Sequence, residues 1–371
     1  MKTAGHCATP YLHTNCSWIY SQLSRLRRYR PVVLTQEAQN LETFPVERLH
    51  TAHDYPFPQR IANRLWLRFT SEYPFYGEIL KAEGASLIHA HFGYQGCRCL
   101  RARRQSGLPM LTTFYGADAT QAVRQEYWRR FYQRLFAEGE LFLVEGSALA
   151  GCLEEAGCPR AKIRLHHLGV NLDTIPFGVR VPGERVRFLI CAPFREKKGI
   201  PDALRAIGRA NQRRPFEFEV VLIGEGPEKP NIEAAIGEAG LGGKVRLLGA
   251  LPYGRVVEEL GRCHLLLQTS RRARDGDTEG GGPVILLDAQ AAGVLVVATR
   301  HADIPEYVRD GESGLLAEEG DVEGIAECIL QLVEAPERWA GMGRTGRDNV
   351  ARHYNAAHQA GRLEEIYDEF T

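Results

Sequence analysis

Short apolar runs alternate with longer amphipathic stretches along nearly the whole chain, and few folds accept that pattern. A strand buried on both faces reads as a brief continuous apolar run, and a parallel neighbour needs a crossover long enough to hold a helix. In the first half, Pro31–Thr35, Ser86–His89, Met110–Thr113 and Glu140–Val144 read as strands, with helices expected at Trp18–Arg27, Gln95–Gln105 and Gln121–Glu138. In the second half the strands expected are Arg187–Cys191, Glu217–Ile223, Lys244–Leu248, His264–Gln268 and Val294–Ala298. Helices are expected there at Pro201–Asn211, Pro230–Ala239, Arg255–Gly261 and Val284–Ala292, with a last one at Ala356–Phe370. The class is α/β, and 371 residues suit two Rossmann-like domains in series.

The alternation breaks in PFGVRVPGERV, where Pro176, Gly178, Pro182 and Gly183 punctuate the chain as a linker would. The expected division is a first domain over 1–180, a second over 181–355, and a terminal helix, 356–371, returning to the first domain. Ligands of open parallel sheets bind outside the carboxyl ends of the strands, here expected in a central cleft that the two domains face.

Basic and acidic side chains balance at 46 each, which disfavours a dedicated nucleic-acid binder. The balance hides an asymmetry: residues 1–180 hold 22 basic and 15 acidic side chains, and residues 181–371 hold 24 and 31. Two clusters, Arg25/Arg27/Arg28/Arg30 and Arg98/Arg101/Arg103/Arg104, suit anionic lipid heads or phosphorylated acceptors, and equally suit solvated helix ends. The nine cysteines are scattered without a C-x-x-C, so neither a disulfide framework nor a zinc site is expected, and a reduced cytoplasm fits. No run has the length of a spanning helix and no apolar leader core is seen, so any membrane role is expected to be peripheral, at an inner membrane face.

The stretch richest in chemistry is DGDTEGGGPVILLDAQAAG, residues 275–293. Gly280, Gly281 and Gly282 followed by Pro283 let the backbone approach a ligand closely, and the helix behind them aims free N–H groups at an anion. A diphosphate suits that end, while Glu279 and Asp288 can accept hydrogen bonds from sugar or ribose hydroxyls. Asp275 and Asp277 form a D-x-D, but two carboxylates without a third ligand make a poor cation site, and no metal is expected. Arg195 and Lys198, in REKKG at 195–199, follow a strand and could neutralise a leaving diphosphate. Gly226 lies in GEGP, a strand-to-helix turn that lacks a complete dinucleotide fingerprint. In the first half, His91, Tyr115 and Asp118 end strands and are candidates to touch a sugar; the single H-x-H at 89–91 has too few ligands for zinc.

The ordered series HAHFG (89–93), TFYGAD (113–118), HHLGVN (166–171), REKKG, GEGP, DGDTEGGGP (275–283) and RHADIPEYVRDGESGLL (300–316) resembles the retaining glycosyltransferases of family 4, which have the GT-B fold. The final third is most like bacterial transferases of exopolysaccharide and surface-glycan assembly. The resemblance implies a nucleoside-diphosphate sugar donor, a sugar, lipid-linked or small-molecule acceptor, and transfer without a metal or other cofactor. It puts the family's E-x7-E pair on Glu279 and Asp288, one residue further apart and with a shorter second acid. It puts the diphosphate-binding lysine on Lys198; the family's arginine falls on Pro193, and Arg195 is the expected substitute. Where the family often has a histidine, this chain has Tyr115. In the front-face mechanism implied, the leaving phosphate takes the acceptor's proton, so no dedicated base is needed. Closure about residues 176–185 would exclude water. Competing readings are a sugar-nucleotide epimerase or hydrolase of the same fold, a non-catalytic sugar-nucleotide binder, and an NAD-dependent oxidoreductase, which the incomplete fingerprint disfavours.

Overall fold

A computed structural model describes residues 1–13 and 16–371, and it divides into two compact units. The first comprises Met1–Gly169 with Ala356–Thr371, and the second Val170–Asn355.

The first unit is built on seven strands: β1 (Lys2–Cys7), β2 (Tyr29–Leu34), β3 (Leu49–His50), β4 (Ala85–His91), β5 (Met110–Thr113), β6 (Leu141–Val144) and β7 (Ile163–Leu165). All pairs are parallel, in the order β3-β2-β1-β4-β5-β6-β7. The second unit has six: β8 (Val186–Cys191), β9 (Phe218–Ile223), β10 (Val245–Leu247), β11 (Leu265–Gln268), β12 (Leu295–Thr299) and β13 (Gly314–Ala317). These too are parallel, in the order β10-β9-β8-β11-β12-β13. In each sheet the winding reverses once, between β1 and β4 and between β8 and β11, and such switch points open a crevice at the strands' carboxyl ends.

β1, β3, β7 and β13 lie outside the strands read from the sequence. β1 is central yet reads KTAGHC, too poor in large apolar groups to register as a buried strand. Its small residues answer to packing: a Cβ on Gly5 would stand 2.1 Å from Leu80 Cδ2, in the helix Tyr76–Ala82.

The chain divides after Gly169, earlier than the boundary expected at 180. Ile175 is fully buried in the second unit's core, and Arg180 lays its guanidinium on the carbonyls of Leu260 and Ala292, both at 3.0 Å. Those carbonyls belong to the ends of the helices Tyr253–Arg262 and Ile285–Ala292, so Arg180 caps both. The segment read as a linker is therefore fastened to the second unit, and no hinge can be placed in its first half.

The terminal helix Ala356–Asp368 belongs to the first unit. Leu363, Ile366 and Tyr367 cover Ala4, Leu87, Leu111 and Leu143 on one sheet face. Buried Glu364 accepts the backbone N–H groups of Arg27 and Arg28, each at 2.6 Å, and of Tyr29 at 3.2 Å. Glu364→Ala leaves three donors without their acceptor, which is expected to cost about 2 kcal/mol and to lower the melting midpoint by roughly 4–8 °C. Tryptophan fluorescence during denaturation checks this, since Trp18, Trp66 and Trp128 report on the first unit and Trp339 on the second; an unmoved first-unit transition would contradict it.

Candidate active site

In the second unit, one of the two predicted cations, Lys198, meets the predicted acid loop at the switch point. Lys198 ends the short 3-10 turn Glu196–Lys198 that follows β8, and Gly199 carries it into the helix Ile200–Arg213. Gly199 has φ 57°, and a Cβ there would stand 1.9 Å from the carbonyl oxygen of Thr269, just beyond β11. Only glycine lets the two loops approach so closely. Thr269 Oγ1 donates to the Gly199 carbonyl at 2.8 Å and secures the contact.

Lys198 Nζ lies 2.8 and 2.7 Å from the two carboxylate oxygens of Glu279, and both side chains are largely shielded from water. Ser270 Oγ donates to Glu279 Oε1 at 2.5 Å and accepts from Gln268 Nε2 at 2.7 Å. Burial alone would raise the Glu279 carboxyl, but Lys198, Ser270 and Lys197 together outweigh it and hold it below its ordinary value.

A second layer supports that loop. Lys197 binds Asp277 Oδ1 at 3.0 Å and the Thr278 carbonyl at 2.9 Å, while Asp277 Oδ1 also accepts the Thr278 N–H. Asp275 Oδ1 accepts the Asp277 N–H at 2.9 Å. The D-x-D carboxylates thus fold their own loop. Buried His301 has Nε2 against Thr278 Oγ1 at 2.8 Å and the Glu279 N–H at 3.2 Å, with Nδ1 2.7 Å from Glu319 Oε1. Accepting the Glu279 N–H requires a lone pair on Nε2, so the neutral imidazole protonated on Nδ1 fits these partners. Ser270, Lys197, His301 and Glu319 were not among the residues singled out from sequence. RHADIP was noticed only as a family phrase, and nothing local to it shows that its histidine reaches residues 278–279.

The glycine run is buried, and no acceptor among the described residues takes the N–H groups of Gly280, Gly281 or Gly282. A Cβ on Gly282 would stand 2.6 Å from the Tyr307 ring, so a side chain there would displace the loop. Pro283 leads into the helix Ile285–Ala292. Arg195 is exposed and forms no ion pair among the described residues. Gly226 follows β9 in a turn zipped to Phe194: Phe194 N–H donates to the Glu225 carbonyl at 2.8 Å, and Glu228 N–H to the Phe194 carbonyl at 3.1 Å. Asp288 does not join Glu279. It is buried under Tyr253, whose hydroxyl donates to Oδ1 at 3.0 Å, and burial pushes its carboxyl up to about 7.

The first-unit candidates require correction. Asp118 is buried, and its oxygens accept the N–H groups of Gly93 (2.8 Å), Tyr115 (3.1 Å) and Gly116 (3.0 Å). It caps the helix Gly93–Ser106 and shapes the loop after β5; its carboxylate is not turned toward a sugar. His91 is fully buried as well, with Nδ1 2.7 Å from the Tyr115 hydroxyl and Nε2 3.1 Å from His6 Nδ1. Of the three only Tyr115 is partly exposed. His6, His89 and His91 bring ring nitrogens within 4.8 Å of one another, the single group with metal-ligand spacing among the described residues. The sequence reading counted only the H-x-H; β1 pairs His6 with His89 across the sheet and supplies the third ring. Burial drives all three toward the neutral form, His6 to about 3. Their partners are one another and the hydroxyls of Thr113, Tyr115 and Tyr367.

Comparison with known proteins places this geometry. Residues 173–349 match the model of glycosyl transferases group 1, and residues 19–174 that of glycosyltransferase family 4. The amylovoran biosynthesis glycosyltransferase AmsK of Erwinia amylovora is 31% identical over 278 residues, which are 74% of this chain and 68% of that one. This chain belongs to the family 4 glycosyltransferases. The putative colanic acid biosynthesis glycosyltransferase WcaL of Salmonella typhimurium is 32% identical over 73% of this transferase and 67% of its own length. Among solved structures, the Rickettsia africae glycosyltransferase (TM-score 0.78, 16% identity, covering 100% of this chain and 98% of that one) shares the fold. So does Anabaena Alr3699/HepE, solved with UDP and glucose (TM-score 0.78, 15% identity, all of both chains). The fold of the transferase is therefore GT-B.

The raised Asp288 sets a pH dependence. The folded chain keeps a proton that the unfolded chain releases near pH 4, so this group's stabilisation is complete below that pH and is lost as pH rises through about 7. Without nucleotide, Asp288→Asn is expected to gain stability relative to the unmodified transferase between about pH 5 and about pH 8. Melting curves across that range measure it; a difference that stays constant with pH would show that Asp288 titrates normally.

Proposed function

We propose that this transferase moves a sugar from a nucleoside-diphosphate donor to an acceptor hydroxyl with retention of anomeric configuration and without a metal. One assembly carries the reading: Lys198, Glu279 and Ser270 joined at the β8/β11 switch point, beside the three uncommitted N–H groups of Gly280–Gly282. Breaking the bond from the anomeric carbon to the diphosphate builds negative charge on the leaving oxygen. Lys198 and the glycine N–H groups, already oriented before reaction, are the donors suited to receive it, with exposed Arg195 a further cation. The leaving phosphate, thus held, takes the proton of the incoming hydroxyl on the same face of the sugar. Glu279 orients the transferred sugar, and Asp288, next to Tyr253, holds the ribose. Gly226 gives the nucleotide a close backbone.

The UDP and glucose held by the Anabaena neighbour support a uridine diphosphate sugar as donor, and the amylovoran and colanic acid relatives support an acceptor that is a growing surface polysaccharide. An epimerase or hydrolase would consume donor without acceptor.

Three measurements test this. One nucleoside diphosphate should raise the melting midpoint whether or not EDTA is present, by about 2.7 kcal/mol of stabilisation at a hundredfold excess over Kd; dependence on a divalent cation would remove the metal-free reading. Glu279→Gln and Lys198→Met should each lower turnover at least about 10²-fold. Melting curves must accompany them, because either change leaves its partner's charge buried alone, a loss of about 3–5 kcal/mol. Near-normal transfer by both variants would refute the site. Proton NMR of the product should show the donor's anomeric configuration; inversion would refute the mechanism.

A further inference from the structure

Three of the eight arginines in the clusters that stand out in the sequence are paired within the first unit. Arg28 pairs with Glu364 and Asp368, Arg103 with Glu140, and Arg104 with Glu72 and Glu138. The uncovered surface lies elsewhere, on the helix Phe57–Thr70.

That helix is turned opposite to a globular surface helix. Toward the core it sends Asn63, hydrogen-bonded to Gln36 Oε1 at 2.6 Å, and half-buried Leu67. Away from the core, Phe57, Ile61, Leu65 and Phe69 recur every fourth residue and are 75%, 47%, 50% and 80% exposed. At 3.6 residues per turn they form one continuous apolar stripe roughly 18 Å long. Trp66 borders it on one side with the Arg101 guanidinium 4.3 Å above its ring. On the other border lie Arg64 and Arg68, and neither forms an ion pair among the described residues. Residues 57–70 contain three arginines and no acidic residue.

From this pattern we infer that the helix Phe57–Thr70 docks the protein flat onto an anionic bilayer surface. Apolar and aromatic side chains enter the boundary between headgroups and acyl chains, and the bordering arginines meet lipid phosphates. Charge complementarity selects this occupant over a second copy of the chain. Pairing two such helices about a two-fold axis would bring Arg64 and Arg68 together with no carboxylate in either segment to oppose them. The inference goes beyond the transfer reaction and does not rest on its details.

Flotation of the purified chain with vesicles decides it. Binding is expected to phosphatidylcholine vesicles containing about 30% phosphatidylglycerol, with little to phosphatidylcholine alone, and to weaken as salt is raised. The double variant Leu65→Ser/Phe69→Ser should bind at least about tenfold more weakly, and Arg64→Ser/Arg68→Ser should lose the preference for anionic vesicles. These side chains are exposed, so melting curves of both variants should match the parent. Three results would overturn the proposal: no flotation with either vesicle, equal flotation with both, or unchanged flotation of the Leu65/Phe69 variant. Self-association that depends on Leu65 and Phe69, seen by sedimentation without vesicle binding, would assign the stripe to a second copy instead.

Discussion

In a sheet whose strands all run parallel, every carboxyl end lies along one edge, and every loop that leaves that edge competes for the same space. Both units obey this constraint, and each opens that space where its winding reverses, at β1/β4 and at β8/β11. The chemistry follows from the second switch point. Residues 194–199 leave β8 and residues 269–282 follow β11, so segments some eighty positions apart are brought to hydrogen-bond distance by topology alone.

What is built there is costly to bury and costly to disrupt. A carboxylate and an ammonium shielded from water lose hydration that their mutual attraction only partly returns, and the balance is favourable when further hydrogen bonds complete the geometry. Ser270 and Gln268 do that for Glu279, and Lys197, Asp277, His301 and Glu319 hold the loop that carries it. A cation already aimed at an acid in the free protein is poised to be shared with an anionic ligand. In the reaction proposed above, such a site would meet the developing charge of a leaving diphosphate with its cation already in place.

Legibility in the sequence varied with how local each signal was. Strands such as Phe218–Ile223 and Leu295–Thr299 stood out because they are buried on both faces and are built from large apolar residues. β1 escaped because it is built from small and polar residues, with Gly5 kept small by Leu80. The glycine run, Lys198 and Glu279 were visible because backbone freedom and charge next to a strand end are local properties. His301 and Ser270 were not, because their meaning lies in what they touch. Asp118 and His91 misled for the same reason: a polar residue at a strand end can face a ligand or serve the loop, and only their hydrogen bonds decide.

By itself, the sequence determined the α/β class, the two parallel-sheet units, the loops that carry charge and the family to which the chain belongs. These follow from periodicity, punctuation and the order of motifs, which are readable along one dimension. The tertiary structure decided that Arg180 fastens the supposed linker to the second unit, and that Arg28, Arg103 and Arg104 of the conspicuous clusters are paired with carboxylates. It also decided that the helix Phe57–Thr70 turns its apolar side outward. Amphipathicity shows that a helix has two faces, but which face meets the core depends on groups distant in the chain, and that information exists only once the chain has folded.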